Sequence, residues 1–307
     1  MTGGGGFIGA HLLGHLVAAG AQVDLLGPTP LKRRTVRSLI ERDHVRYKPF
    51  ALEGDAVDLA NALAGCDALV HLRYRPPATD GFWSQLLEGV SDNLLETIRL
   101  LDAAAVAGVG QVCLASSVNV YQPPALGVDE NAAVGGSLKP YAVVKLQQEE
   151  CVRRWSRETG RPAAILRLAT VYGPGETVGR AIPNFIRAAL AGERPVVAGR
   201  GASLFDPIYV GDVAAAFLCA LEKGSEGTFN IATGRGWPTK YVARLVMRLC
   251  AADGDVELNR AKPDSDRPVC NVARAQSVLG FKATTSLETG LQAEIDWLRT
   301  QQLRRTA

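Results

Sequence analysis

Short runs of Val, Ile and Leu alternate along this chain with longer stretches in which apolar residues recur every three or four positions. That alternation predicts βαβ units and a mostly parallel sheet. The expected strands are QVDLL (22–26), VRYKPF (45–50), ALVHLR (68–73), QVCLASS (111–117) and AAILRLATVYG (163–173). Helical patterns fill the intervals at 10–20, 57–65, 83–108 and 141–160. Residues 1–173 therefore form one doubly wound α/β layer. Beyond them the pattern mixes a helix at 182–193, a short strand PVVAG, the segment DPIYVGDVAAAFLCALEK, GTFNIATG, a helix from 240, the loop AKPDSDRP and a closing helix near the C-terminus. Residues 174–307 are expected to build mainly a smaller lobe over the carboxyl edge of the sheet, with some segments returning to the first domain. Open α/β sheets bind their ligands at that edge.

Composition narrows the class. The 307 residues are 47% hydrophobic and 21% charged with a net charge of +3, the profile of a globular domain without a polybasic tract. Nucleic acid and anionic membrane are not expected partners, and no apolar run reaches the roughly 18 residues that span a bilayer. The six cysteines, Cys66, Cys113, Cys151, Cys219, Cys250 and Cys270, form no C-x-x-C pair. They suit reduced thiols, and the expected location is the cytoplasm. His11 and His15 have the i, i+4 spacing of zinc ligands but no third partner, so no metal site is expected.

The N-terminal text TGGGGFIG places Gly3, Gly6 and Gly9 in a G-x-x-G-x-x-G spacing that opens directly onto an apolar helix. Glycines there admit positive φ, and the helix start at Phe7 and Ile8 offers free N–H groups to a pyrophosphate. A flexible tail is the competing reading of the glycine run alone; the helix and the following strand favour dinucleotide binding. The strand that ordinarily precedes such a loop is missing, and loss of a central strand is costly. The expectation is that the natural start lies upstream of Met1.

At the end of the second strand, where an acid would hold the ribose of NAD, stands Gly27. Lys32, Arg33 and Arg34 follow and offer a 2′-phosphate partner, with a solvated helix start as the alternative; NAD and NADP both stay open. Asp55 is a candidate for the adenine amino group or for a helix cap. Leu72, within the expected strand 68–73, is a candidate cofactor contact.

Catalytic chemistry is expected where LASSVNVY ends a strand and PYAVVK opens a helix. The i, i+4 spacing sets Tyr141 and Lys145 on one helical face, so the ammonium is expected to lower the phenol from about 10. Ser117 would hydrogen-bond the same substrate oxygen.

These motifs, together with GCDALVHL, Asn93, LRLATVYGPG, DPIYVGDVAAAF, GTFNIATG and LGFKATTSLETGL, resemble the extended short-chain dehydrogenase/reductases over nearly the whole chain. That family includes sugar-nucleotide epimerases and dehydratases. The resemblance implies a Rossmann-type domain holding NAD or NADP, NAD slightly favoured, a C-terminal substrate lobe, catalysis by Ser117, Tyr141 and Lys145, and a homodimer built through a helix bundle.

Dehydratases of the group carry an Asp-Glu pair after the catalytic hydroxyl residue, whereas Val118 and Asn119 stand here. The expected activity is a nucleotide-sugar 4-epimerase; a 4-ketoreductase and a non-catalytic cofactor sensor are the alternatives. Gln122, Arg73, Arg75 and Phe205 depart from the epimerase pattern. Asn184, Lys262 and Arg267 are the candidate substrate-binding residues: Arg267 or Lys262 as a positive charge for a diphosphate, with plain surface charge the favoured alternative for either, and Asn184 facing the substrate, with a role at a helix N-terminus as the alternative. His71, Tyr121 and Tyr172 are expected to shape the pocket rather than react.

Overall fold

A computed structural model describes residues 1–27, 44–49, 56–122, 126–136, 138–263, 265 and 267–306. At its centre lie six parallel strands. Val45–Pro49 pairs with Val23–Gly27, and Ala68–His71, Gln111–Ser117, Ala163–Leu168 and Gly227–Ile231 follow in that spatial order. Successive side chains in a strand point to opposite faces. Cys113 and Ala115 accordingly pack with Leu12, Leu13, Val213 and Phe217 on one face, while Val112 and Leu114 pack with Leu59, Leu100, Val152 and Trp155 on the other.

Two residues join the halves of this sheet. Thr2 forms parallel bridges to Leu26 on one side and His71 on the other. Its N–H donates to Val70 O at 2.9 Å and its carbonyl accepts from Leu72 at 3.3 Å, while Met1 O accepts from Leu26 at 2.9 Å. Below this bridge a cavity of about 570 Å³ separates the lower halves of the flanking strands, lined among others by Met1, Asp24, Cys66 and Val70. The Met1 ammonium is buried at its edge, donates to Asp24 O at 2.7 Å, and is pushed down to about 6 by burial.

Two expected elements are interrupted. The helix anticipated over 83–108 is Phe82–Gly89, a π turn at Val90–Leu94, and Leu95–Val106. The anticipated strand 163–173 breaks at Ala169, whose N–H goes to Ile231 O; its continuation, Thr170–Tyr172, pairs instead with Pro207–Tyr209. The chain thereby leaves the sheet and enters a second core. There Ile182, Phe185 and Ile186 of the helix Ala181–Leu190 meet Val242 and Val246 of Thr239–Cys250 and Leu291 and Ile295 of Leu287–Thr306. The helix Val210–Glu222 returns to the first core beside Phe7–Ala18, and Gly227–Ile231 completes the sheet edge. No helix among the described residues is long and apolar enough to cross a membrane.

Candidate active site

The strand Gln111–Ser117 delivers Ser117 to the carboxyl edge of the sheet, and the helix Pro140–Thr159 starts beside it. Pro140 at the first helical position suits a residue with no N–H to offer. The Ser117 side chain lies near enough to the Tyr141 phenol to favour its ionised form. One turn on, buried Lys145 donates to Ala115 O at 2.8 Å. Ser117, Tyr141 and Lys145 thus meet at one place.

Glu149, a further turn along and fully buried, accepts from Ser116 at 2.5 Å and from both Arg167 nitrogens at 2.9 and 2.8 Å. Arg153 adds a fourth contact at 2.6 Å. This closed network fixes the helix against the sheet directly under Ser117 and Tyr141.

The electrostatics correct one expectation. The Tyr141 phenol lies above its ordinary value because burial disfavours the phenolate; the Ser117 side chain and the Arg180 charge pull it back only in part. Lys145 is itself pushed down to about 7 by burial, against the opposing pull of Glu149. Desolvation of both groups outweighs the attraction that spacing alone suggested.

The glycine loop is a cradle that side chains would fill. Gly3 has φ +72°, and a Cβ there would lie 2.7 Å from Arg73 N. A Cβ on Gly9 would lie 2.2 Å from Gly3 O, and one on Gly6 3.0 Å from the same oxygen. The helix Phe7–Ala18 has no side-chain cap and no acidic residue in its first turn. Its N–H groups and positive end are free for an anion such as a pyrophosphate, so these residues fit a dinucleotide. Phe7 and Ile8 anchor the turn against the main core, as does Leu72. Arg33 and Asp55, like Lys32 and Arg34, lie outside the described residues.

Between the loop and the helix Pro140–Thr159 runs the segment after His71. His71 is held between Thr2 Oγ1 and Thr97 Oγ1 at 2.7 and 2.9 Å, and burial holds it down at about 3, so it is a neutral structural residue. Buried Asn93, in the π turn, takes both backbone polar groups of Arg75: its Oδ1 accepts at 2.6 Å and its Nδ2 donates at 3.0 Å. Arg73 forms an ion pair with buried Glu96. The ring of Tyr74 lies edge-on to Tyr141, with centroids 4.8 Å apart.

A pocket of about 200 Å³ lies under the second lobe, lined by Tyr172, Glu176, Arg180, Phe205, Ser203 and Arg267 among others. Arg267 is held below its ordinary value by partial burial and by the charge of Arg180, which also acts on Tyr141. The Arg180 charge therefore connects this pocket to Tyr141. Arg180 also pairs with buried Glu176 at 3.4 Å.

Of the expected substrate residues, Arg267 lines the pocket and the others do not. Asn184 sits in the first turn of its helix, where its amide donates to Gly179 O and accepts from Arg187. Lys262 is exposed outside the lining. Arg180, Glu176 and Tyr74 escaped the sequence reading; the text HLRYRPP gave a signal for Tyr74, but drew attention only to its two arginines. Tyr121 donates to Asn230 Oδ1 in the core, and Tyr172 donates to Leu287 O at 3.4 Å while its ring lines the pocket. His11 spends Nε2 on Pro174 O at 2.7 Å.

The sequence profile of the NAD dependent epimerase/dehydratase family matches residues 1–232. A protein of Bacillus subtilis (strain 168) described as an uncharacterized UDP-glucose epimerase, YtcB, is 26% identical, with 97% of this chain and 96% of that protein aligned. A dTDP-4-dehydro-6-deoxy-D-allose reductase of Streptomyces bikiniensis is 29% identical over 97% of this chain and 95% of its own length. The solved structure of MoeE5 in complex with UDP-glucuronic acid and NAD superposes with a TM-score of 0.84 at 31% identity, covering 98% of each chain.

Proposed function

Since the chain belongs to the NAD dependent epimerase/dehydratase family, we propose that it is a nucleotide-sugar 4-epimerase working by transient oxidation and re-reduction at C4, with NAD as the resident cofactor. The single observation that carries this reading is the gathering of Ser117, Tyr141 and Lys145 at the carboxyl end of the strand Gln111–Ser117, with no carboxylate in the following Val118–Asn119 positions to serve an elimination.

Gly3, Gly6 and Gly9 with the start of the helix Phe7–Ala18 would hold the pyrophosphate, and Lys145 the adjoining ribose. When bound, the dinucleotide supplies a reversible hydride acceptor next to Tyr141. Tyr141 takes the proton of the C4 hydroxyl as that carbon is oxidised and returns it on re-reduction. Ser117 donates to the same oxygen and steadies its charge. Arg180 and Arg267 meet the substrate's diphosphate, the work that an arginine at position 205 would otherwise share.

We take the working form to be a cytoplasmic homodimer. Exposed Trp83, Leu87, Leu95, Ile98 and Val106 lie on successive helices, an apolar face that a second copy would cover. Conversion of UDP- or dTDP-hexoses to their C4 epimers without added cofactor tests the activity, and Tyr141→Phe should abolish it while NADH binding persists. Consumption of NADPH with a 4-keto sugar, and no epimerisation, would instead establish the reductase reading that the Streptomyces relative favours.

A further inference from the structure

Glu176 is a buried acid for which the proposed reaction has no use. It stands on the segment between the strand Thr170–Tyr172 and the helix Ala181–Leu190, its N–H donated to Gly173 O at 3.2 Å. Its side chain is 3% exposed, whereas that of its ion-pair partner Arg180 is 50% exposed. The carboxylate is enclosed; the guanidinium meets solvent. Glu176 is also the wall between two cavities. It lines the pocket of about 200 Å³ together with Arg180 and Arg267, and a second cavity of about 240 Å³ with Thr177, Arg187, Trp297 and Gln301. A carboxyl that borders two cavities keeps a route for protons despite its burial.

The charges that face Glu176 come from three elements: Arg180 on its own segment, Arg187 on the helix Ala181–Leu190, and Glu294 on the helix Leu287–Thr306. Tyr172, on the adjoining strand, stays neutral because burial raises its phenol. Ser203, Phe205 and Thr239 complete that side of the pocket without charge. Burial outweighs the two arginines and pushes the Glu176 carboxyl up to about 7. The charged groups in the described lining of the pocket are Glu176, Arg180 and Arg267, so it carries one net positive charge with Glu176 ionised and two with Glu176 protonated. An anion entering the pocket is therefore held better by the protonated form.

We propose that Glu176 competes with the bound anion for Arg180: a diphosphate displaces the carboxylate from the guanidinium, and the carboxylate takes a proton from solvent as it is displaced. Arg180 keeps its charge and exchanges one anionic partner for another. A buried carboxylate stripped of its counterion, with Glu294 on one side and a diphosphate on the other, is costly, and protonation removes that cost. Affinity for the anion is then scaled by the fraction of chains in which Glu176 is protonated. This rests on the reading of the pocket as the place of the nucleotide's diphosphate.

Calorimetric titration of the purified chain with UDP-glucose and, in parallel, dTDP-glucose at pH 6, 7 and 8 tests this. The diphosphate of a nucleotide sugar is esterified at both ends, so its charge is constant over that interval. The wild-type dissociation constant should rise about tenfold from pH 6 to pH 8, following the protonated fraction of a carboxyl near 7. At pH 7 binding should take up about half a proton, read from the heats in buffers of different ionisation enthalpy. Glu176→Gln, with Glu176→Ala as a second neutral variant, should bind with one affinity at all three pH values, about tenfold tighter than wild type at pH 8. Glu294→Gln, which removes the other raised carboxyl, should keep the wild-type dependence. Wild-type affinity that is level across the interval overturns the proposal, and so does a slope that survives in the Glu176 variants. Failure of wild type and variants to bind either nucleotide sugar at any pH would remove the diphosphate site itself and the proposal with it, a result distinguishable from binding without proton uptake.

Discussion

Glu294 stands on the helix Leu287–Thr306, fully buried, and neither carboxylate oxygen has a hydrogen-bond partner among the described residues. Burial, and then the nearby Glu176, push it up to about 8, with Gly173 and Arg187 opposing weakly. Its ordinary value is 4.5, so the folded chain holds a proton that the unfolded chain has lost at neutral pH. A carboxyl with a raised folded value binds more protons in the native state, so stability falls as pH climbs from about 4.5 to about 8 and is level above. With each pH unit worth about 1.4 kcal/mol, the group costs about 1 kcal/mol at pH 5 and about 3 kcal/mol at pH 7. Glu294→Gln removes the titration, though a buried amide brings an unpaired-group cost of about 1–3 kcal/mol of its own, independent of pH. The diagnostic is therefore the slope: urea denaturation of both proteins at pH 5, 6 and 7 should show the variant gaining about 2 kcal/mol on wild type across that interval. Parallel stability curves would refute the reasoning, and would mean that the Glu294 carboxylate is solvated or paired in solution.

Other outcomes follow from the same geometry. Gly9→Ala puts a methyl group 2.2 Å from Gly3 O and must shift the loop backbone; NADH affinity should fall at least about tenfold and stability by about 1–3 kcal/mol, read by titration and denaturation. Arg267→Ala removes one of the two charges facing the pocket, and should raise the KM for a nucleotide sugar about tenfold while changing kcat far less. Glu149→Gln strips the charge from a carboxylate that joins Ser116, Arg153 and Arg167, leaving the Arg167 guanidinium, 3% exposed, without its counterion. Denaturation should register a loss of about 3–5 kcal/mol.

The fold was legible because its signals repeat. Every expected strand up to residue 117 occurs within a few residues of its place, since a buried parallel strand needs a run of β-branched and leucine side chains whatever its neighbours do. The π turn at Val90–Leu94 was not legible, because it answers to tertiary demands. Asn93 must face Arg75, and Gly89 lies so close to the Tyr141 helix that a Cβ there would meet Val144 Cγ2 at 2.8 Å. The join at Thr2 was missed for a related reason. A backbone bridge is indifferent to side chains, and two residues carry no periodicity, so the hydrogen bonds from Thr2 to Val70 and from Leu26 to Met1 leave no mark in the text.

At the site, legibility followed spacing. Tyr141 and Lys145 are coupled by one helical turn, and Ser117 is tied to them by its place at a strand end; spacing does find such residues. Arg180, Glu176 and Tyr74 are single residues on connecting segments, and only the fold brings them within reach of the phenol. Their omission matters for the protons. Spacing placed an ammonium near a phenol and inferred a lowered pKa, but the same packing that brings the two together takes both out of water. The phenol is left above its ordinary value and the ammonium near 7. The influences that do favour the phenolate are the Ser117 side chain and the Arg180 charge, the second of which belongs to the pocket rather than to the helix Pro140–Thr159. The acidity of Tyr141 is thereby tied to the charge state of the pocket under the second lobe. An anion seated between Arg180 and Arg267 offsets the very charge that assists ionisation, so chemistry at the phenol needs its remaining support from the Ser117 side. On the proposed mechanism this makes Ser117 a partner in setting the proton's position as well as a donor to the reacting oxygen.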